Sequence, residues 1–195
     1  MTLSLRIAKA DDIPFVARIL TEVSEGIVET LLENAVPGAS AEALLEIALG
    51  KNPEPYHLDN IVLADYEGKT IGLLFAYPAQ LQRVPVIMER FLAKERIDAV
   101  RDLMEAKAEK ALWINTFWVA PVFRGEGLSS VLMNAAGTMA RDSGLTSLAL
   151  HCWGDNARAL AFYRKCGFEV KRDVVFGEAL TRRHGGGGKL LVKEF

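Results

Sequence analysis

The residues best suited to chemistry fall in the stretch Val119-Ala-Pro-Val-Phe-Arg-Gly-Glu-Gly-Leu-Ser-Ser-Val-Leu-Met133. Trp113 to Val119 reads as a β-strand. Arg124-Gly125-Glu126-Gly127 follows as a loop, and an apolar-periodic helix begins at Leu128. Strand, glycine loop and helix N-terminus in that order build an anion site. Glycine lets the backbone turn tightly and come close to a ligand. The first helical amides have no intrahelical acceptor, and the helix dipole adds positive potential. A pyrophosphate fits there, and Arg124 adds a fork of donors. Such a loop is not specific alone, since Rossmann folds and plain tight turns also carry Gly-x-Gly.

A second constellation sharpens it. Leu148-Ala-Leu-His-Cys-Trp-Gly-Asp-Asn156 runs into Ala-Arg-Ala-Leu-Ala-Phe-Tyr163-Arg-Lys-Cys-Gly167-Phe168. This reads as a strand, an N-cap at Asp155 or Asn156, a short helix and a glycine at its C-terminus. Asn156 and Tyr163 lie seven apart, about two helical turns, and share a face.

Together these segments resemble the GNAT N-acetyltransferase superfamily. The V-x-P-x-x-R-G-x-G-L segment is similar to its motif A, and N-x-x-A-x-x-F-Y-x-x-x-G-F to its motif B. The close match runs from Trp113 to Val170. Leu5 to Asp12, followed by a helical pattern, is similar to the family's opening strand and helix. The resemblance implies an α/β (α+β) fold: a mixed, mostly antiparallel central sheet flanked by helices. It implies an acetyl-CoA-dependent N-acetyltransferase that transfers acetyl directly to a primary amine in a ternary complex. The Arg124, Gly125, Glu126, Gly127, Leu128 and Ser129 segment would hold the pyrophosphate. The Phe117 to Val119 strand edge would pair with the pantetheine arm, and Asn156 would add a side-chain bond to the cofactor. Tyr163 matches the tyrosine proposed as general acid to the CoA thiolate, a role its phenol suits. The bland alternatives are a surface cation at Arg124, a plain N-cap at Asn156 and a core tyrosine at 163.

The base is less defined. Many members carry a carboxylate on the strand before the glycine loop, whereas this chain has Ile114-Asn115-Thr116-Phe117. Others use a glutamate twelve residues before the tyrosine, and His151 stands there. A neutral imidazole can take the amine's proton directly or through water. A hydrogen-bonded strand histidine, with water as the base, is the other reading. Val122 and Ser129 also depart from the family pattern, and neither forbids CoA binding.

The surrounding elements must position these groups. Leu3 to Ala8 reads as a strand, and Asp11 or Asp12 caps a helix whose stripe is Val16, Ile19, Leu20, Val23, Ile27 and Leu31. Ala41 to Leu49 is a second helix, capped by Ser40. Asn60 to Ala64 and Lys69 to Tyr77 form a hairpin around Tyr66-Glu-Gly-Lys69. Val86 to Leu112 is helix-favouring and reads as a helical insertion between the third and fourth strands, serving as a lid, a dimer contact or both. Helix Leu128 to Asp142 should bury Leu128, Val131, Leu132, Ala135 and Met139. Strands at Leu148 to Cys152, Phe168 to Phe176 and Lys189 to Phe195 close the chain. The run His184-Gly-Gly-Gly-Gly188 reads as a flexible turn without chemistry.

The 195 residues are expected to form a single domain, 1–195, with an acceptor-side helical region at 21–60 and the insertion at 79–112. A net charge of -2 gives no basic footprint for nucleic acid. No apolar run suits a membrane span or signal peptide, so a cytoplasmic protein is expected. Cys152 and Cys166 read as reduced thiols, and no Cys/His spacing suggests a metal. From Thr21 to Asn60 there are eight acids against one base, Lys51. Glu22, Glu25, Glu29 and Glu33 recur at helical spacing as one acidic face, which is either solvated or attracts a cationic acceptor. The acceptor would be a small-molecule or peptide amine. The rival functions are a non-catalytic acyl-CoA sensor or interaction domain and, more remotely, a nucleotide-binding α/β protein, which lacks a ribose-binding acid.

Overall fold

The computed structural model describes residues 3–106 and 108–195. Lys107, inside the expected insertion, lies outside them, as do Met1 and Thr2. In chain order the elements are β1 (Ser4–Ile7), α1 (Ile13–Ser24), α2 (Ile27–Leu32), α3 (Ala41–Gly50), β2 (Ile61–Tyr66) and β3 (Lys69–Pro78). Next come α4 (Val86–Phe91), α5 (Lys94–Asp98), α6 (Arg101–Met104), β4 (Ala111–Val119) and α7 (Leu128–Asp142). Then follow β5 (Ser147–Trp153), α8 (Ala157–Lys165), β6 (Glu169–Val174), α9 (Glu178–Arg183) and β7 (Gly188–Glu194). The architecture is mixed α/β with a mostly antiparallel sheet, in strand order β1-β2-β3-β4-β5-β7-β6. The chain packs as two compact units, residues 1–77 with 114–139 and residues 78–113 with 140–195.

In the first unit β1, β2 and β3 are antiparallel neighbours, with Ser4 opposite Asp65 and Ile61 opposite Phe75. Glu67 and Gly68, at φ of 51° and 74°, close the β2–β3 hairpin in the doubly left-handed geometry that matches strand twist. Arg6 ties β1 to its surroundings through Asp12 at 2.7 and 2.9 Å and Asp65 at 2.6 Å. Asp12 also accepts from the Lys9 amide at 2.8 Å. It therefore secures the turn before α1 and, contrary to the cap expected of it, makes no side-chain cap on α1 itself. The Arg6 guanidinium holds its carboxyl below the usual carboxylate range.

The expected helix through Leu31 is two helices. Glu25 and Gly26 take φ of 49° and 112°, so α1 stops at Ser24 and α2 starts afresh. The glutamates consequently do not lie on one continuous helix. Glu33 instead accepts from the Ala41 amide at 3.1 Å, in the first turn of α3, and Ser24 donates to Glu29 at 3.4 Å. Ser40 caps α3 as expected, accepting from the Ala43 amide. The α7 stripe is rotated from the expected one: Leu128, Leu132, Met133, Ala136 and Ala140 are buried, whereas Val131 is exposed.

In the second unit β7 pairs antiparallel with both β5 and β6, with Trp153 and Val174 each opposite Gly188. The segment after Pro78 docks here. Ile97, Val100, Leu103 and Met104 are buried, Gln82 donates to the Leu103 carbonyl at 2.9 Å, and Gly177 donates to Ala99 at 2.8 Å. Asp102 accepts from Arg172 at 2.8 Å and from the Val175 amide at 2.7 Å. In α4, by contrast, Val86, Ile87 and Phe91 are exposed. Helix α9 was not foreseen in the sequence.

Candidate active site

Unit one builds the glycine loop. Past β4 the Ala120 amide donates to Ile71 at 2.8 Å, and a short 3-10 turn, Pro121–Phe123, rests its Phe123 ring on Tyr66 at 5.8 Å. Gly125 and Gly127 take φ of 94° and 87°, where a side chain would be strained. A Cβ at either would meet nothing within 4 Å, so the loop is open as well as left-handed. The first bonds of the α7 ladder run from Ser130 and Val131 to the Gly127 carbonyl. The amides from Gly125 to Ser129 therefore precede the ladder, as an anion site requires.

The expected contributors differ in what they can offer. Arg124 is exposed, but its Nε donates to the Val119 carbonyl at 3.0 Å, so its fork partly secures the loop. Leu128 is buried, which leaves only its amide for a ligand. Glu126 is exposed and Ser129 half-buried. A residue the sequence reading passed over seats this helix. A Cβ on Gly72 would lie 2.9 Å from Leu132 and 3.3 Å from Leu128, so glycine there lets α7 lie close on β3. A glycine inside an apolar strand was the available signal.

On β4, Val119 is buried and Phe117 half-buried. Trp118 Nε1 is buried with no hydrogen-bond partner among the described residues. On this same strand, which lacks the expected carboxylate, Asn115 is exposed and held in a neutral network. It donates to the Tyr77 hydroxyl at 3.2 Å and accepts from Thr116 at 3.0 Å. Tyr77 is buried beside Tyr56, and its hydroxyl is pushed well above its ordinary value.

Unit two holds the remaining candidates. Asn156 caps α8, its Oδ1 accepting from the Ala159 amide at 3.1 Å, which leaves its amide NH2 to donate elsewhere. Tyr163 is buried, its ring on Phe168 at 5.6 Å. Burial first, then Cys152 and Cys166, push the phenol above its ordinary value, so it stays protonated. His151 keeps some exposure, but its Nε2 is buried with no hydrogen-bond partner among the described residues. Its ring lies 4.7 Å from Trp153 and 5.2 Å from Phe176. Burial, then the neighbouring His184, lowers it to about 3, so it is neutral at physiological pH. Within the glycine run, Gly186 is pressed against the backbone of residues 154 and 155.

The acetyltransferase (GNAT) family model matches residues 29–168. The chain belongs to the GNAT acetyltransferase family. Solved GNAT-like structures span nearly the whole chain. One described simply as an acetyltransferase has TM-score 0.67 and 22% identity, over 98% of each chain. The N-acetyltransferase from Staphylococcus aureus Mu50 has TM-score 0.68 and 15% identity, over 97% of this chain and 99% of its own. The PaiA N-acetyltransferase from Thermoplasma acidophilum, solved in complex with coenzyme A, has TM-score 0.58 and 13% identity over the full length of both. At these identities the likeness carries the fold. A sequence comparison with curated proteins gave no match. Family membership makes this GNAT protein an acetyl-CoA-dependent N-acetyltransferase by class. No helix among its described residues is long and apolar enough to cross a membrane.

Proposed function

We propose that this GNAT protein transfers acetyl directly from acetyl-CoA to the primary amine of a small molecule or peptide, within a ternary complex. The open loop before α7 is the observation that carries the reading. The amides of Gly125 to Ser129 hold the pyrophosphate, with the free part of the Arg124 guanidinium beside them. Backbone groups of Phe117 to Val119 pair with the pantetheine arm, and the Asn156 amide donates to the cofactor. A structural relative solved with coenzyme A supports the same class of ligand. The cofactor supplies an activated thioester.

The amine nitrogen attacks the thioester carbon, the carbon–sulfur bond breaks, and Tyr163 Oη gives its proton to the departing sulfur. The amine's own proton goes to solvent. Asn115 is neutral, and His151 at about 3 has little affinity for a proton, with Nε2 buried. His151 therefore packs against Trp153 and Phe176 in this reading.

The test is thiol release from acetyl-CoA against polyamines, amino acids, amino sugars and peptide N-termini, paired with CoA titration by calorimetry. CoA binding with turnover of an amine supports the reading. CoA binding with no turnover across the panel rejects the amine acceptor. No CoA binding rejects the loop assignment. For an active amine, kcat/KM in the His151→Phe variant should still rise with pH as the acceptor deprotonates.

A further inference from the structure

The least expected packing in the second unit surrounds the start of α8. β5 ends at Trp153, and the chain turns through Gly154 and Asp155 into the cap residue Asn156. The turn is closed by Asn156 N to Trp153 O at 3.1 Å and Ala157 N to Asp155 O at 3.0 Å. Loop 184–188 lies directly on it. The Gly154 amide donates to the Gly187 carbonyl at 2.7 Å. A Cβ on Gly186 would stand 2.4 Å from Asp155 N, and one on Gly154 would stand 2.2 Å from Gly186 O. Only glycine fits at either position.

His184 completes the grip. It is 5% exposed, and its ring stacks on Trp153 at 3.8 Å and 9°. Its Nδ1 lies 3.4 Å from Asp155 Oδ2. One side chain thus holds the residue that ends β5 and the residue that precedes the α8 cap. A flexible connection would need neither the stack nor the carboxylate contact. What the turn fixes is the origin and direction of α8. Asn156 stands at its first turn and Tyr163 two turns later.

We propose that His184 is a positioning residue for acetyl transfer: with the glycines of 185–188 it clamps the Trp153–Asn156 turn and so sets the placement of Asn156 and Tyr163. This rests on the roles proposed above for those two residues. Small misplacements of reacting groups are costly, with about 1 Å able to cost about 100-fold in rate.

The experiment combines amide hydrogen exchange with kinetics on the full chain. His184→Ala should raise exchange at residues 154–160 by about tenfold or more while leaving residues 61–75 unchanged. It should lower kcat about tenfold and cause no further loss in a Tyr163→Phe background, because coupled residues are not additive. If His184→Ala does not fold, His184→Phe keeps the stack, removes the Asp155 contact and gives the same comparison. Unchanged exchange at 154–160 overturns the clamp whatever the activity. Raised exchange with full kcat overturns the positioning role, as does an additive loss in the Tyr163→Phe background. Full activity of Tyr163→Phe alone would instead reject the proton-donor reading. The clamp is then judged on Asn156: weaker CoA binding by His184→Ala supports it, and unchanged affinity overturns it.

Discussion

Tyr163 is protonated for the reason that would make a sulfur beside it a good acceptor. Burial penalises charge on both, and Cys166, one of its neighbours, is likewise pushed up by burial. A thiolate formed in such surroundings gains basicity as the phenol loses acidity, which keeps the two matched. Tyr163→Phe should lower kcat by about 100-fold, the low end of general-acid effects, with CoA affinity within about twofold. Normal kcat in a stopped-flow or thiol-release assay would reduce Tyr163 to packing. At the other candidate group, Gly127 combines a left-handed backbone with an open outer face. Gly127→Asp would place a carboxylate where the pyrophosphate is proposed to sit. It should abolish CoA binding by calorimetry while circular dichroism shows the fold retained. Affinity that survives the substitution would refute the loop assignment. These residues were legible because their types and spacing recur in the family. His184 was not, because its meaning depends on a stack with Trp153, thirty-one positions earlier in the chain.

The elements show where periodicity succeeds and where it misleads. Helices α3 and α7 match their sequence bounds closely, since each has an apolar stripe and a cap or glycine boundary. The helix expected through Leu31 fails because periodicity across Glu25 and Gly26 does not register a left-handed break. That break changes the meaning of the acidic residues. Glu33 faces the N-terminus of α3, where a carboxylate gains from the exposed amides and the helix dipole. Glu22 lies 3.9 Å from Arg18, and Glu29 accepts from Ser24. Glu22, Glu29 and Glu33 thus have local partners, which favours a structural use over recruitment of a cationic acceptor. Glu33→Ala should cost about 1 kcal/mol of stability in urea denaturation, the usual scale for a lost cap, with the acceptor KM unchanged. A raised KM with unchanged stability would restore the recruitment idea. The segment between β3 and β4 carries the three short helices α4, α5 and α6, and its packing was not legible. Asp102 with Arg172, and Gly177 against Ala99, are contacts some seventy or more positions apart.

For the molecule as a whole, its titrating groups determine how the fold responds to acid. His151 is lowered from 6.5 to about 3 in the folded protein, so between those values the unfolded chain binds more protons. Stability then rises with pH across that window, and acid removes it. From pH 6.5 to 5 this group alone accounts for at most about 2 kcal/mol, since each pH unit is worth about 1.4 kcal/mol. Asp12 and Asp102 have the same sign at lower pH. Arg6 and Arg172 hold their carboxyls below the ordinary 3.8, so the stability they contribute is complete above that value and fades beneath it. Two stages of acid loss follow: a histidine stage that begins near pH 6.5 and a carboxylate stage that begins near pH 4. Urea denaturation at intervals from pH 7.5 down to about pH 3 should show both stages in the unaltered protein. In His151→Leu that slope should flatten, while the fall below pH 4 persists. A slope left intact in His151→Leu would mean that folding leaves the proton affinity of His151 unchanged. The case for solvent, and not His151, as the acceptor of the amine's proton would then lose its main support.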